Sequence, residues 1–229
     1  MKKIKLLLVE DDTSLGFIIK DNLELKGYSV DLYPDGEQGW MAFHTGTYDL
    51  CILDIMLPKK DGFALLDDIR KQSQQIPVLF LTARSDSKDK LEGFRKGADD
   101  YITKPFGIEE LMLRIEVFLK RSQIPVSSPD RIHLGAYTFD VRNLELKSPT
   151  HRYTLTQKEA DLLGHFCKNR DQLLKRDDIL LSVWGSDDYF LGRSLDVFVS
   201  RLRKYLKEDK NLAIVNQFGI GFRLTERKE

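Results

Sequence analysis

Five short apolar runs alternating with amphipathic stretches fill the first half of this chain, and that alternation restricts the fold more than any other feature. Ile4–Val9, Leu50–Ile55 and Val78–Thr82 are near-continuous apolar runs, as in strands buried on both faces of a parallel sheet; Val30–Tyr33 and Asp100–Thr103 are weaker versions. Thr13–Lys26, Asp35–His44, Phe63–Gln72, Lys88–Lys96 and Ile108–Arg121 read as helices, with Gly27 and Gly97 placed to stop two of them. Five successive β–α units predict an α/β domain, a doubly wound parallel sheet covered on both faces. Ligands of such sheets bind beyond the carboxyl ends of the strands.

The pattern stops at Ser122–Asp130, where SQIPVSSPD carries two prolines and three serines without a period, as linkers do. Beyond it come short strand-like pieces (Ile132–Leu134, Tyr137–Asp140, Leu144–Leu146, His151–Leu155). Helices follow around Gln157–Cys167, Arg176–Val183 and Arg193–Leu206, and then a hairpin pattern turning at Phe218–Gly221. The expected organisation is therefore a domain at 1–121, a linker at 122–131 and a second domain at 132–229, a comfortable division of 229 residues.

A formal net charge of zero would argue against a nucleic-acid partner, but it hides an asymmetry. Residues 1–121 hold 18 Lys/Arg against 21 Asp/Glu, a net of −3, leaving 18 against 15, a net of +3, for residues 122–229. Cys51 and Cys167 each sit among apolar residues far apart in sequence, so buried free thiols in a reducing compartment are expected, with a disulfide as the alternative. The apolar run behind Met1 is too short for a signal core, and no stretch approaches the ~20 apolar residues of a membrane span. A cytoplasmic protein with no membrane partner is expected.

Three strand ends carry acids or a base. Glu10, Asp11 and Asp12 follow the first run, Asp54 closes the third, Thr82 ends the fourth, and Lys104 follows the fifth. A parallel sheet brings these ends to one edge, where crowded carboxylates repel unless a cation sits among them. Hard oxygen ligands select Mg²⁺. Such a cation stabilises a transferring phosphoryl group, a lysine and a hydroxyl complete the cradle, and Asp54 is the nucleophile of an acyl phosphate. Each residue alone has an ordinary explanation: Asp11 or Thr82 as a cap, Lys104 as a solvated loop lysine. Their joint placement argues for the site.

The segments VEDD, LDIMLPKKDG, LTAR and GADDYITKPF, spanning residues 4–121, resemble in order the motifs of bacterial response-regulator receiver domains, whose sheet is flavodoxin-like and five-stranded. The resemblance implies phosphorylation of Asp54 by a partner histidine kinase. It further implies Mg²⁺ held by Asp11, Asp54 and the Met56 carbonyl, with Glu10 acting through water. Thr82 and Lys104 would contact the phosphoryl oxygens, Tyr101 would be a switch aromatic turning inward, and the Lys104–Pro105 bond would be cis. The same resemblance implies a homodimer, with Lys90 opposite Glu110, Asp99 opposite Arg121 and Asp100 opposite Arg114 across a two-fold axis around Leu91, Phe94, Leu111 and Ile115.

In the second domain, at about 100° per residue, Leu195, Val199, Leu202 and Leu206 share one stripe, with Arg193, Val197, Ser200, Arg201 and Lys204 opposite. Residues 193–207, Arg203 included, hold five bases and one acid, Asp196. A helix apolar on one side and basic on the other suits a major groove; the competing explanation is a solvated surface helix. A preceding helix and turn and a following Gly-containing hairpin favour the groove. LTQKEADLL, LLKRDDILLSVW, RSLDVFVSRLRKYL and FGIGFRL resemble the α+β winged helix-turn-helix effector of the OmpR/PhoB subfamily. Two departures stand out: Phe218 and Ser200 occupy positions where that subfamily often has arginine. Phe218 is expected to pack, with minor-groove insertion as the alternative, and Trp184 is expected in the core.

The sequence thus predicts a phosphorylation-dependent transcription regulator, not an enzyme, dimerising through its receiver onto paired half-sites of promoter DNA and working with RNA polymerase. The rivals are a phosphorylation-independent regulator with the same DNA-binding domain, a haloacid-dehalogenase-like phosphatase and a flavodoxin-like cofactor binder. Met56 stands where the phosphatase needs an acid, and no Gly-rich loop follows the first strand.

Overall fold

Five parallel strands, β1 (Lys5–Val9), β2 (Ser29–Tyr33), β3 (Leu50–Asp54), β4 (Val78–Thr82) and β5 (Asp100–Thr103), form one sheet in the order β2-β1-β3-β4-β5 in the computed structural model. The described residues are 3–83, 87–120, 131–185 and 189–227, without the side chains of 87–91, 120 and 189–194. Helices α1 (Thr13–Leu25), α2 (Gly36–Thr45), α3 (Gly62–Gln72), α4 (Ser87–Lys96) and α5 (Ile108–Lys120) complete the alternation that the sequence predicts. Strands β3 and β4 are buried at every residue, which explains their near-unbroken apolar runs. Leu8, Ile52, Leu81 and Ile102 carry the core across the sheet to Leu111 and Ile115 of α5.

Helix starts explain many of the acids. Asp12, Asp35 and Asp61 each accept a backbone N–H as the N-caps of α1, α2 and α3. Asp35 also binds Lys59 Nζ at 2.6 Å, which with its cap holds its carboxyl down at about 2. Gly27 and Gly97, just beyond α1 and α4, adopt left-handed φ of 95° and 108°.

The chain divides into two compact units, Met1–Gln123 and Ile124–Glu229. The Ser122–Asp130 linker lies outside the described residues. In the second unit, β6 (Arg131–Leu134), β7 (Tyr137–Asp140), β8 (Glu145–Lys147) and β9 (Arg152–Thr154) form an antiparallel sheet in that order. Helices α6 (Gln157–Lys168), α7 (Arg176–Trp184) and α8 (Tyr189–Tyr205) follow. A hairpin of β11 (Leu212–Gln217) and β12 (Gly221–Glu226) pairs with a two-residue strand, β10 (Leu174–Lys175), to close a second sheet. Helix α8 begins a turn earlier than expected, and β10 had no signal in the sequence. Trp184 is buried, edge-on to Phe198 at 5.3 Å, as expected of core. Cys51 and Cys167 are free and buried, and burial pushes their thiols up to about 12 and about 11.

Candidate functional site

The carboxyl ends of β1 and β3 bring Glu10, Asp11 and Asp54 together, each offering an oxygen within 4.8 Å of the others. Asp12 is occupied as the cap of α1, accepting from Leu15 N at 3.0 Å, so Asp11 is left for the cluster. Lys104, just beyond β5, lies between the acids: its Nζ is 2.5 Å from Asp54 Oδ2 and 2.7 Å from both Glu10 oxygens. Asp54 Oδ1 accepts from Met56 N at 2.9 Å, which orients the carboxylate. Burial pushes the Glu10 carboxyl up despite the Lys104 hydrogen bond. The Lys104 ammonium would be depressed by its own burial, but the hydrogen bonds to Asp54 and Glu10 prevail and raise it. Three carboxylates against one ammonium leave an excess of negative charge and a set of hard oxygen donors, which fits a small divalent cation.

Two backbone features accompany this geometry. The Lys104–Pro105 peptide is cis, as the sequence resemblance implies. Gly62, at the start of α3, packs against the phosphoacceptor candidate from behind: a Cβ there would lie 2.2 Å from the Asp54 carbonyl oxygen. Gly62 closes the LDIMLPKKDG motif, but its close approach to Asp54 is visible only in three dimensions.

Thr82 is fully buried at the end of β4, beside Asp54's neighbour in the ladder, Leu81, and its carbonyl accepts from Lys104 N at 2.7 Å. Tyr101 of β5 is turned inward, its ring 5.2 Å from Phe80 and 4.6 Å from Phe94. The hydroxyl fills a notch at Gly93 of α4, where a Cβ would sit 1.2 Å away.

The charges expected across a dimer axis are met differently. Asp99 is wholly buried, its Oδ2 taking Arg70 Nη2 at 2.8 Å and Val78 N at 2.9 Å. In this conformation it is engaged by α3 and β4 of its own chain rather than presented to Arg121, which lies outside the described residues. Asp100 and Arg114 do meet, at 3.0 Å, but within one chain, and Arg114 also holds Glu110 at 2.9 Å. The Lys90 and Leu91 side chains lie outside the described residues, while Phe94, Leu111 and Ile115 are buried in the receiver rather than exposed as a patch.

In the second unit, Leu195, Val199, Leu202 and Leu206 are all buried, as the helical stripe predicts, with Phe198 beside them. Ser200, Arg203 and Lys204 are exposed and Val197 half-buried; the Arg193 side chain lies outside the described residues. Arg201 does not fit the expectation of a base reader. Its Nη1 binds Glu159 Oε1 at 2.9 Å, and Glu159 is a buried member of the Thr156–Glu159 capping box that starts α6. Arg203 also reaches inward, donating to the Ile214 carbonyl of β11 at 2.9 Å. Asp196, the one acid of the basic stretch, is paired with Arg176 at 2.9 Å. Phe218 is 95% exposed, so the expectation that it packs is corrected: the hairpin turn carries it beyond the last strand pair, Gln217–Gly221.

Arg201→Ala is therefore expected to lower the melting free energy of the second unit by about 1–3 kcal/mol, since it leaves a buried carboxylate without its cation. Lys204→Ala, at an exposed position of the same helix, should leave melting unchanged. Equal melting of Arg201→Ala and wild type, by calorimetry, would show that the Arg201–Glu159 pair does not hold this unit together.

Residues 6–116 match the response regulator receiver domain family, and residues 150–224 match the family of transcriptional regulatory protein C-terminal domains. The chain is 45% identical over 224 residues to the transcriptional regulatory protein RprY of Bacteroides fragilis, covering 97% of this chain and 95% of that protein. It is 40% identical to the transcriptional regulatory protein DltR of Streptococcus agalactiae, covering 98% and 100%. Among solved structures, the OmpR/PhoB homologue DrrB of Thermotoga maritima aligns over 98% of this chain and 100% of its own, with a TM-score of 0.53 at 25% identity.

Proposed function

Because the chain belongs to the OmpR/PhoB subfamily of two-component response regulators, a receiver joined to a DNA-binding effector, we propose that Asp54 is its phosphoacceptor and that the aspartyl phosphate strengthens binding of α8 and the β11–β12 hairpin to promoter DNA. One observation carries the reading: Glu10, Asp11, Asp54 and Lys104 converge at one sheet edge, with Asp54 held at both oxygens.

An Asp54 oxygen forms the new P–O bond as the P–N bond of a kinase phosphohistidine breaks. Mg²⁺, held by Asp11, Asp54 and the Met56 carbonyl with Glu10 through water, would neutralise the phosphoryl oxygens. Lys104 exchanges its contact with Asp54 for a phosphoryl oxygen, and the Thr82 hydroxyl donates to another. Thr82 is then drawn toward the phosphate, which stabilises Tyr101 in its inward position against Gly93 and selects one surface of α4, β5 and α5. Two receivers joined there bring two effectors to paired half-sites. Its partners are thus a histidine kinase, a second copy and DNA, with RNA polymerase as the downstream target and the cytoplasm as the compartment. The chain accepts one phosphoryl group per switching event and works as a regulator rather than a turnover enzyme. Among the described residues, no helix is long and apolar enough to cross a membrane.

Incubation with acetyl phosphate and Mg²⁺ should place a phosphoryl group on the Asp54 peptide, read by mass spectrometry. Mg²⁺ alone should raise the receiver's melting free energy by about 2.7 kcal/mol at ~100 times Kd, reversed by chelation and lost in Asp11→Asn. A receiver that neither melts higher with Mg²⁺ nor takes the phosphoryl group would end this reading.

A further inference from the structure

We propose that Phe218 is an apolar wedge that enters the DNA minor groove beside the half-site read by α8, replacing a cationic wing contact with a shape-dependent one. The inference rests on the DNA-binding reading of the second unit. An almost wholly exposed phenylalanine is costly in water, and here Val215 and Ile220, 48% and 44% exposed, flank it on the same hairpin. Gly219, at φ +73°, makes the turn that pushes Phe218 past the last cross-strand pair, Gln217–Gly221.

The hairpin is fastened to the helix beside it, so the tip has a set position relative to α8. Arg203 of α8 donates to Ile214 O and lies 5.9 Å from the Phe222 ring. Arg176, 5.2 Å from the same Phe222 ring, holds Asp196 of α8. A major-groove helix thereby fixes where the wing falls.

Charge selects DNA as the occupant. Residues 213–225 contain Arg223 and no acid, and Glu226 at the base of the hairpin is paired with Arg170. The tip itself carries no acid, and Lys175 stands opposite Gly221 in the neighbouring strand. Apolar side chains inserted from the minor groove side partly unstack a base step, a process blocked where the guanine amino group projects.

Poly(dI-dC) and poly(dG-dC) separate the two grooves, because they share major-groove atoms while only the latter carries the minor-groove amino group. The full-length wild type should bind poly(dI-dC) about five-fold or more tightly than poly(dG-dC). Phe218→Ala should bring that ratio to one with unchanged melting, and Phe218→Leu should keep most of it. Phe218→Arg should lose the ratio while steepening the salt dependence by about one counterion. Loss of affinity in Phe218→Ala that is equal on both polymers would overturn the wedge and assign the tip to a neighbouring copy. A ratio that survives Phe218→Ala would overturn it as well. Wild type that binds neither polymer would overturn the wedge, and failure on genomic promoter fragments as well would remove the DNA-binding reading itself.

Discussion

Replacing Asp54 with Asn is expected to reduce phosphoryl incorporation from acetyl phosphate to background while leaving the receiver folded. The amide removes the nucleophilic carboxylate oxygen but keeps its shape. Its carbonyl oxygen can still accept from Met56 N, the contact now made by Oδ1 at 2.9 Å. Lys104 loses one partner and keeps Glu10, which it holds at 2.7 Å through both oxygens. Repulsion among Glu10, Asp11 and Asp54 falls with one charge gone, so melting should stay level or rise. A variant that still acquires acid-stable or acid-labile phosphate at wild-type yield would move the acceptor elsewhere in the chain.

Trp184→Ala is expected to have the largest effect on the DNA-binding unit. The indole is 2% exposed, packs edge-on to Phe198 of α8 and lies 5.5 Å under the buried Lys158 ammonium, which donates to Val183 O at 2.7 Å. Truncation opens a cavity beneath α8 and should cost about 3–5 kcal/mol, or roughly 15–30 °C in Tm for a unit of this size. The chain has two tryptophans, and the other, Trp40, lies in the receiver. Its fluorescence in the variant reports the receiver alone, whose transition should hold its wild-type position while the circular dichroism of the second unit melts early. Wild-type melting throughout would mean that α7 and α8 do not depend on this ring.

Much of the architecture is legible without coordinates because burial on both faces leaves an unmistakable trace. Leu50–Asp54 and Val78–Thr82 are apolar because no face of either strand meets water. The acid cluster is legible for a related reason: parallel topology forces strand ends to one edge, so Glu10, Asp11 and Asp54 could be gathered from order alone. What stayed hidden depends on partners rather than periodicity. A helical projection puts Arg201 on the outer side of α8, but the long guanidinium reaches back to Glu159. Asp99 reads as a surface charge until Arg70 and Val78 N are seen to bury it. The two residues of β10 carry no pattern of their own and become a strand because β12 passes beside them. The signal for Glu159 was present in the Thr-x-x-Glu spacing of a capping box, which fixes it at the start of α6.

Coupling between the two units reduces to whether the state of Asp54 changes DNA occupancy. Footprinting on genomic fragments, with full-length wild type and Asp54→Asn titrated in Mg²⁺ with and without BeF₃⁻, tests this directly. Wild type with BeF₃⁻ should protect its sites at lower protein concentration than without it, and Asp54→Asn should show one curve under both conditions. Protection that is identical in all four titrations would contradict phosphorylation control and leave a DNA-binding protein regulated by other means.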